Sequence, residues 1–597
     1  MGGGPPPGAG LFGFAGGRGM QGNAPPANQT LTKIKLKPND YVTAVVEMNK
    51  WRFIDRRRTQ QGIDLLIAHK WGKTMLFADG AEILYQPFRT PPPEELYNQR
   101  SRTLTGARRT PDGLQKLALW CLSIGLPDKA AYVLDEMSRS IANSREDVPP
   151  RAAKAVEAYQ QIKDQLNRDV SRRDLAKDWQ ERLGYPGMAT SEHYALIYSD
   201  DSYKDSVQRR LKHLEFTFRN FYLWHALKGK ALPMPEQKLV AILASDQTAF
   251  KQFHDALELG EELVADGFYA RRDNLAIFAG QRLDEASRNF EQLARGVFRR
   301  YEPDRLLKAD FFKVKTDDMK KVHEIARAQT IALVDQALQD EAELSSATHE
   351  GTRQLFASTG LLPRNVTVPE WLRFGLGAFF ETPKGPFPGE FSAVKVALFP
   401  GAGGPSWAYM GYFNELEKTG RLSKKHETTL VQTITDEYFR LAREGLEEKR
   451  KLGETTPAGM VFNELRENAL ARARTLSWGL TYFLASERFD GLQKYFEELR
   501  KLPRDLELDE SSSMLVFARS FGLAETGLDD EGINENRFGG IAEEWLKWMK
   551  TQRSPAVDLK LDDPVEQQLP QENPGGFGPG GFPPGFPGIP PGSGPDS

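Results

Sequence analysis

The spacing of apolar positions changes several times along the chain. From Leu31 to about Tyr85 apolar and polar residues alternate in short runs, KIKLK, YVTAVVEM, GIDLLIAHKW, KTMLFA and AEILY, divided by polar or glycine-bearing turns. This period of two predicts a small β-rich domain over 31–95. The period then lengthens. Leu114, Leu117, Ala118 and Cys121 share one helical face, Gly125 marks a turn, and Ala130, Val133, Leu134 and Met137 follow at spacings of three and four. The pattern is similar to one tetratricopeptide-like hairpin, and a connecting helix over 150–182 completes a helical segment, 110–182. One hairpin cannot form a repeat array, so it is expected to serve as a packing element with a capacity for peptide contact.

The centre alternates between the two periods. Strands are expected at 193–198 and 238–243, with helices after each, and one or two more strands at 267–269 and 274–278. A stripe of Val207, Leu211, Leu214, Phe218 and Phe221 marks the first of those helices. The fold class this order predicts is α+β, with a small mixed sheet in a central domain over 190–400 that carries a helical insert at 284–345. Periodic segments at 428–450, 462–486, 491–499 and 511–520 predict a mostly helical C-terminal half, 401–552, belonging to the same fold. The two ends, 1–30 and 555–597, are rich in glycine and proline and are expected to be disordered, because they cannot offset their ordering entropy with buried surface.

Composition narrows the partners. The net charge of -3, from 79 basic against 82 acidic residues in 597, provides no field to attract nucleic acid. Arg56, Arg57 and Arg58, with Trp51 and Phe53 nearby, are accordingly read as a solvated hairpin face. A single cysteine, Cys121, excludes an intramolecular disulfide framework and any cysteine-based zinc site. No stretch approaches the ~20 apolar residues a transmembrane helix needs. The first residues lack the basic and apolar regions of a signal peptide. The expected location is therefore exported, in the periplasm or cell envelope, if a signal peptide precedes this start, and cytoplasmic otherwise.

The chemistry-bearing segment is Thr348-His349-Glu350-Gly351-Thr352-Arg353-Gln354, followed by Pro369-Glu370-Trp371-Leu372-Arg373-Phe374-Gly375 and, further on, Glu381. In the HExxH arrangement two imidazoles at i and i+4 face one way on a helix and the intervening glutamate holds the attacking water, while a third ligand comes from elsewhere. The stretch HEGTRQLFASTGLLPRNVTVPEWLRFGLGAFFE resembles an uncharacterised bacterial family, the domain of unknown function fifteen-seventy, whose usual form is HEATHQ, then NTGL, then WLSEGLA and a final Tyr-Phe-Glu. The resemblance extends over roughly 191–550 and implies a gluzincin-like, metallopeptidase-related fold. It also implies roles. His349 is a remnant metal ligand and Glu350 a remnant general base, Arg353 and Phe374 stand at altered ligand positions, and Glu370, Trp371 and Glu381 are candidates to line the cleft. Glu381, two turns beyond Phe374, would sit ~10 Å away along a continuous helix.

Zinc hydrolysis needs three protein ligands and an open position. Arginine stays protonated and has no lone pair to give, and phenylalanine has no donor atom. The eight histidines include no HxH, HxxxH or HxxEH pair. No cofactor is expected, with zinc entering only if the site has been rebuilt from distant residues. Glu350 and Arg353, three apart on one helix, are close enough to pair, either as an internal ion pair standing in for the metal charge or as a surface pair of little consequence. No GxSxG elbow or GxxxxGK[ST] loop is present, and the GAGG at 401–404 is read as a strand-exit turn or cleft loop. Three functions follow as expectations: an inactive gluzincin-like protein that binds a peptide or protein partner, a zinc-dependent peptidase with a rebuilt site, or a structural envelope or assembly protein tethered by its tails.

Overall fold

In the computed structural model, residues 41–552 are described apart from the stretches 258–265, 281–294, 302–318, 383–400 and 525–534 and some shorter breaks. Both low-complexity ends and the KIKLK run lie outside the described residues, as do much of the expected insert and the strand expected before the GAGG loop.

The first unit is an antiparallel sheet of β1 (Tyr41–Met48), β2 (Trp51–Gln60), β3 (Leu65–His69), β4 (Gly72–Leu76) and β5 (Leu84–Thr90), in the order β4-β3-β2-β1-β5. Arg56, Arg57 and Arg58 lie within β2, where Arg58 is paired with Tyr41 of β1 and Ala68 of β3.

Helices follow: α1 (Pro93–Thr103), α2 (Pro111–Ser123) and α3 (Pro127–Ala142). Thr110 caps α2 by accepting from Gly113 N at 3.2 Å, and prolines start both hairpin helices where a missing N–H costs nothing. Gly125 turns the chain at φ 79°. The predicted hairpin faces are buried in full, from Leu114 to Met137. The connecting helix is not continuous. It divides into α4 (Pro150–Ile162) and α5 (Asp174–Leu183), because the intervening segment pairs instead with the sheet: Val170 N donates to Glu192 O at 2.9 Å, and Lys238 Nζ holds Asp169 at 2.7 Å.

The central sheet runs β6-β7-β8-β10-β9, from β6 (Gly187–Thr190), β7 (Tyr194–Tyr198), β8 (Leu239–Leu243), β9 (Gly267–Ala270) and β10 (Leu275–Phe278). β7, β8 and β10 are parallel, and the two outer strands run antiparallel to their neighbours. Every residue of β7 and β8 is buried, as expected of strands covered on both faces. Alternate side chains divide between two cores. Ala195, Ile197, Val240 and Ile242 meet Ala176 of α5 and Phe250 of α7 (Gln247–Leu257), whereas Leu196, Ala241 and Leu243 join the larger core with Leu214 and Phe218 of α6 (Lys204–Leu227). The result is a mixed α+β fold, mostly helical, with a small mixed sheet.

The remaining helices are α8 (Met319–Ser358), α9 (Glu370–Phe380), α10 (Trp407–Lys418), α11 (His426–Ile434), α12 (Glu437–Leu452), α13 (Pro457–Glu487), α14 (Phe489–Arg500), α15 (Glu510–Ser520) and α16 (Gly539–Thr551). One helix was expected over 428–450; two form, because Asp436 takes φ 59° between α11 and α12. Its carboxylate oxygens then accept from Glu370 N and Trp371 N, each at 2.6 Å, and so cap the start of α9. α9 is wedged between α8 and α13, and two glycines make this possible. A side chain at Gly375 would meet Ser477 O and Thr481 Oγ1 of α13, and one at Gly377 would meet the His349 ring of α8. Among the described residues no helix is long and apolar enough to cross a membrane.

Candidate functional site

The motif end of α8 is fixed from both sides. Toward α6, Glu343 accepts from Ser206 Oγ and Arg209 Nε, both at 2.7 Å, and from Arg209 Nη2 at 2.9 Å. Burial pushes that carboxyl up, yet the Arg209 bonds, the Arg210 charge and the Ser206 bond together outweigh it and hold it below its ordinary value. Toward the sheet, Gln354 Nε2 donates to Val240 O at 2.8 Å and Asn274 O at 2.7 Å, clamping α8 across β8 and the β9–β10 turn. His349, Glu350 and Arg353 lie between these two anchors.

His349 and Phe374 are brought together, with ring centroids 5.2 Å apart. The ring of His349 also lies against the α9 backbone at Gly377. Its Nδ1 is 2.7 Å from Glu381 Oε2, within hydrogen-bond distance. The sequence argument that removed Glu381 from this neighbourhood is corrected here: α9 ends at Phe380, and the extended backbone of Glu381 (ψ 141°) returns its buried carboxylate to His349. A rise computed for a continuous helix does not apply to a residue just past its end.

Arg353 Nη1 donates to Glu350 Oε2 at 2.8 Å, with the two side chains 16% and 6% exposed. That burial selects between the two readings of the pair: it is internal. The guanidinium also lies 5.6 Å from the centre of the Tyr269 ring on β9, and Glu350 packs against Gly267 of the same strand.

Trp371, Glu370 and the GAGG segment are placed as follows. Trp371 is fully buried beside Tyr495 and Phe517, at ring distances of 5.7 and 6.3 Å, so it is core and lines no cleft. Glu370 is held by Arg443 of α12. The GAGG segment docks onto the helical hairpin and the end of α9: Ala402 N donates to Leu122 O and Gly403 N to Phe379 O, each at 3.0 Å, and a side chain at Gly401 would overlap Ser123 O. Glycine is needed there for close approach, and no phosphate loop is implied.

Two residues of the site had no local signal in the sequence. Tyr409 of α10 is half-buried 6.0 Å from the Phe374 ring, and Arg474 of α13 stands over that ring at 5.7 Å. Burial, with the nearby Glu381 charge, holds the Tyr409 phenol well above its ordinary value, so it is a proton donor rather than an anion at neutral pH.

The side chains present do not fit a zinc ion. One imidazole, that of His349, is available; Arg353 is a cation bound to Glu350, and Phe374 is a hydrocarbon ring beneath the Arg474 cation. Among the described residues no three His, Cys, Asp or Glu side chains converge to hold a metal.

A family model described as a protein of unknown function (DUF1570) matches residues 343–397. The DUF1570 match begins at Glu343, the anchor to α6, and takes in the motif end of α8 and all of α9. No curated protein and no solved structure matches the chain.

Proposed function

We propose that the chain is a catalytically inactive relative of gluzincin metallopeptidases that binds peptide or protein segments beside β9 and the motif end of α8. The observation that carries this reading is the buried Arg353–Glu350 pair. It places a fixed positive charge where the family pattern has its second histidine, and it engages the glutamate that would otherwise hold the attacking water. β9 is also the last strand of its sheet among the described strands, and its Gly267 and Tyr269 meet Glu350 and Arg353. An extended segment added to such an edge would lie next to the pair.

One observation favours a second reading, a zinc peptidase with a rebuilt site. Glu381 holds His349 Nδ1 as outer carboxylates hold zinc-bound imidazoles. Metal content decides between them. Protein prepared without metal and then exposed to zinc should retain none tightly and show no chelator-sensitive peptidase activity. The double change Arg353→His and Phe374→Glu should gain zinc affinity, because it restores a three-ligand face around His349. Stoichiometric zinc on the natural chain, lost in His349→Ala, would overturn the inactive reading.

A further inference from the structure

Lys228 is the C-cap of α6, and its side chain reaches the corner where α13 gives way to α14. Its Nζ lies 5.4 Å from the centre of the Trp224 ring on α6 and 5.8 Å from that of Phe489, the first residue of α14. Its one hydrogen bond among the described residues is long, 3.5 Å to Ser486 O near the end of α13. An ammonium has three N–H donors and a charge that is costly to remove from water. This slot offers it two aromatic faces and a single carbonyl oxygen.

The charge itself is poorly served there. Burial pushes the ammonium down from 10.5 to about 8; Glu487, the last residue of α13, pulls it back up, and Arg151 of α4 adds to the fall. The residue as a whole is half-buried, so the amine is not sealed from small reagents. Two consequences follow from burial on one side and access on the other. A desolvated lysine is a nucleophile near neutral pH, because more of it is free amine. An Nε-acyl amide also suits the slot better than the ammonium does, since it has no charge and one N–H to set against one acceptor.

We propose that Lys228 is an acylation site: its uncharged amine takes an acyl group from a small activated donor of the acyl phosphate class, and the amide remains between Trp224 and Phe489. The nitrogen lone pair attacks the acyl carbon and the C–N bond forms as the acyl C–O bond breaks. Phosphate leaves with the bonding pair, and the nitrogen gives one proton to water. Nothing is oxidised or reduced. The site is independent of the peptide-binding reading.

The full chain is treated with acetyl phosphate from about pH 7 to about pH 10, and occupancy at each lysine is followed by peptide mass spectrometry. At pH 8 about half of Lys228 is free amine, against about 0.4% of an ordinary lysine. A weaker base is also a weaker nucleophile, which removes about half of that advantage on a logarithmic scale and leaves roughly tenfold. Lys228 should therefore be acylated about tenfold faster than Lys230, an exposed lysine two residues on. Its rate should level off just above pH 8, where that of an ordinary lysine keeps climbing. Phe489→Ser, which admits water to the slot, should bring Lys228 down to the Lys230 rate; if that variant does not fold, the pH curve of the natural chain decides. A rate no greater than that of Lys230, or one still climbing at about pH 10, overturns the site. The natural chain and Lys228→Arg are then acylated alike and their thermal midpoints compared. The natural chain should lose no more than Lys228→Arg, and a fall confined to the natural chain overturns the fit of the amide to the slot.

Discussion

The buried ion pair makes a quantitative claim. Two unit charges about 4 Å apart attract by about 4 kcal/mol at an effective dielectric constant of 20, and the desolvation of both groups offsets most of that. The net worth of the pair is therefore small, while the cost of breaking it is large. Glu350→Ala leaves a guanidinium that is 16% exposed without its 2.8 Å partner, and Arg353→Met leaves a carboxylate that is 6% exposed. Each should cost about 3–5 kcal/mol. The double change Glu350→Ala with Arg353→Met should cost about 2–3 kcal/mol less than the sum of the two, because neither charge is then stranded. Thermal midpoints of the four proteins give the cycle, at roughly 2–4 °C per kcal/mol for a unit of about 200 residues. Running it with and without a chelator separates the pair from any metal: the coupling should be identical. Single changes that cost under about 1 kcal/mol, or costs that simply add, would refute the argument that Arg353 compensates Glu350 internally.

Three further outcomes are expected. Gly377→Ala should cost about 1–3 kcal/mol, as the new methyl overlaps the His349 ring, and Gly375→Ala should cost more, since it meets the rigid backbone oxygen of Ser477 at 2.6 Å; thermal midpoints rank them. Gln354→Leu strands the carbonyls of Val240 and Asn274 and should cost about 2 kcal/mol, with faster amide exchange in β8 and β10 as the local readout. Burial first, and then the Glu370 charge, raises the Asp436 carboxyl from 3.8 to about 7 against the opposing pull of its backbone bonds. The folded chain then holds this proton more tightly than the unfolded chain, so the contribution is complete below pH ~4, falls as pH rises and is lost by about pH 7. Asp436→Asn should flatten the midpoint over that window, and an unchanged slope would refute the assignment.

Much of the fold was legible because strand and helix periods differ and the central strands are apolar throughout. β7, β8, β9 and β10 are where alternation and apolar runs placed them, and the hairpin faces are buried residue for residue. What was missed has physical causes. β6 is four residues, GMAT, too short to carry a period, and pairs only because β7 offers it an edge. The breaks at 163–173 and at Asp436 are made by partners distant in sequence, Glu192 and Lys238 in one case and the start of α9 in the other. At the site, local spacing located His349, Glu350, Arg353 and Phe374 and their adjacency. It could not locate Tyr409 or Arg474, which arrive from other helices, and it misjudged Trp371 and Glu381. Trp371 faces the core rather than the motif, and Glu381 escapes helical geometry by one residue.

The docking of Ala402 and Gly403 onto Leu122 and Phe379 also orders events during synthesis. The hairpin can settle on α6 as soon as that helix has emerged, through Gln115 Nε2 to Leu227 O at 2.7 Å and the Arg219–Asp128 pair. The end of the hairpin at Leu122 and Ser123 receives its cover only when residue 402 has left the ribosome. A nascent chain arrested before that point would carry a docked hairpin with an open end. Limited proteolysis between α2 and α3 should therefore be fast in such a chain and slow in the finished one.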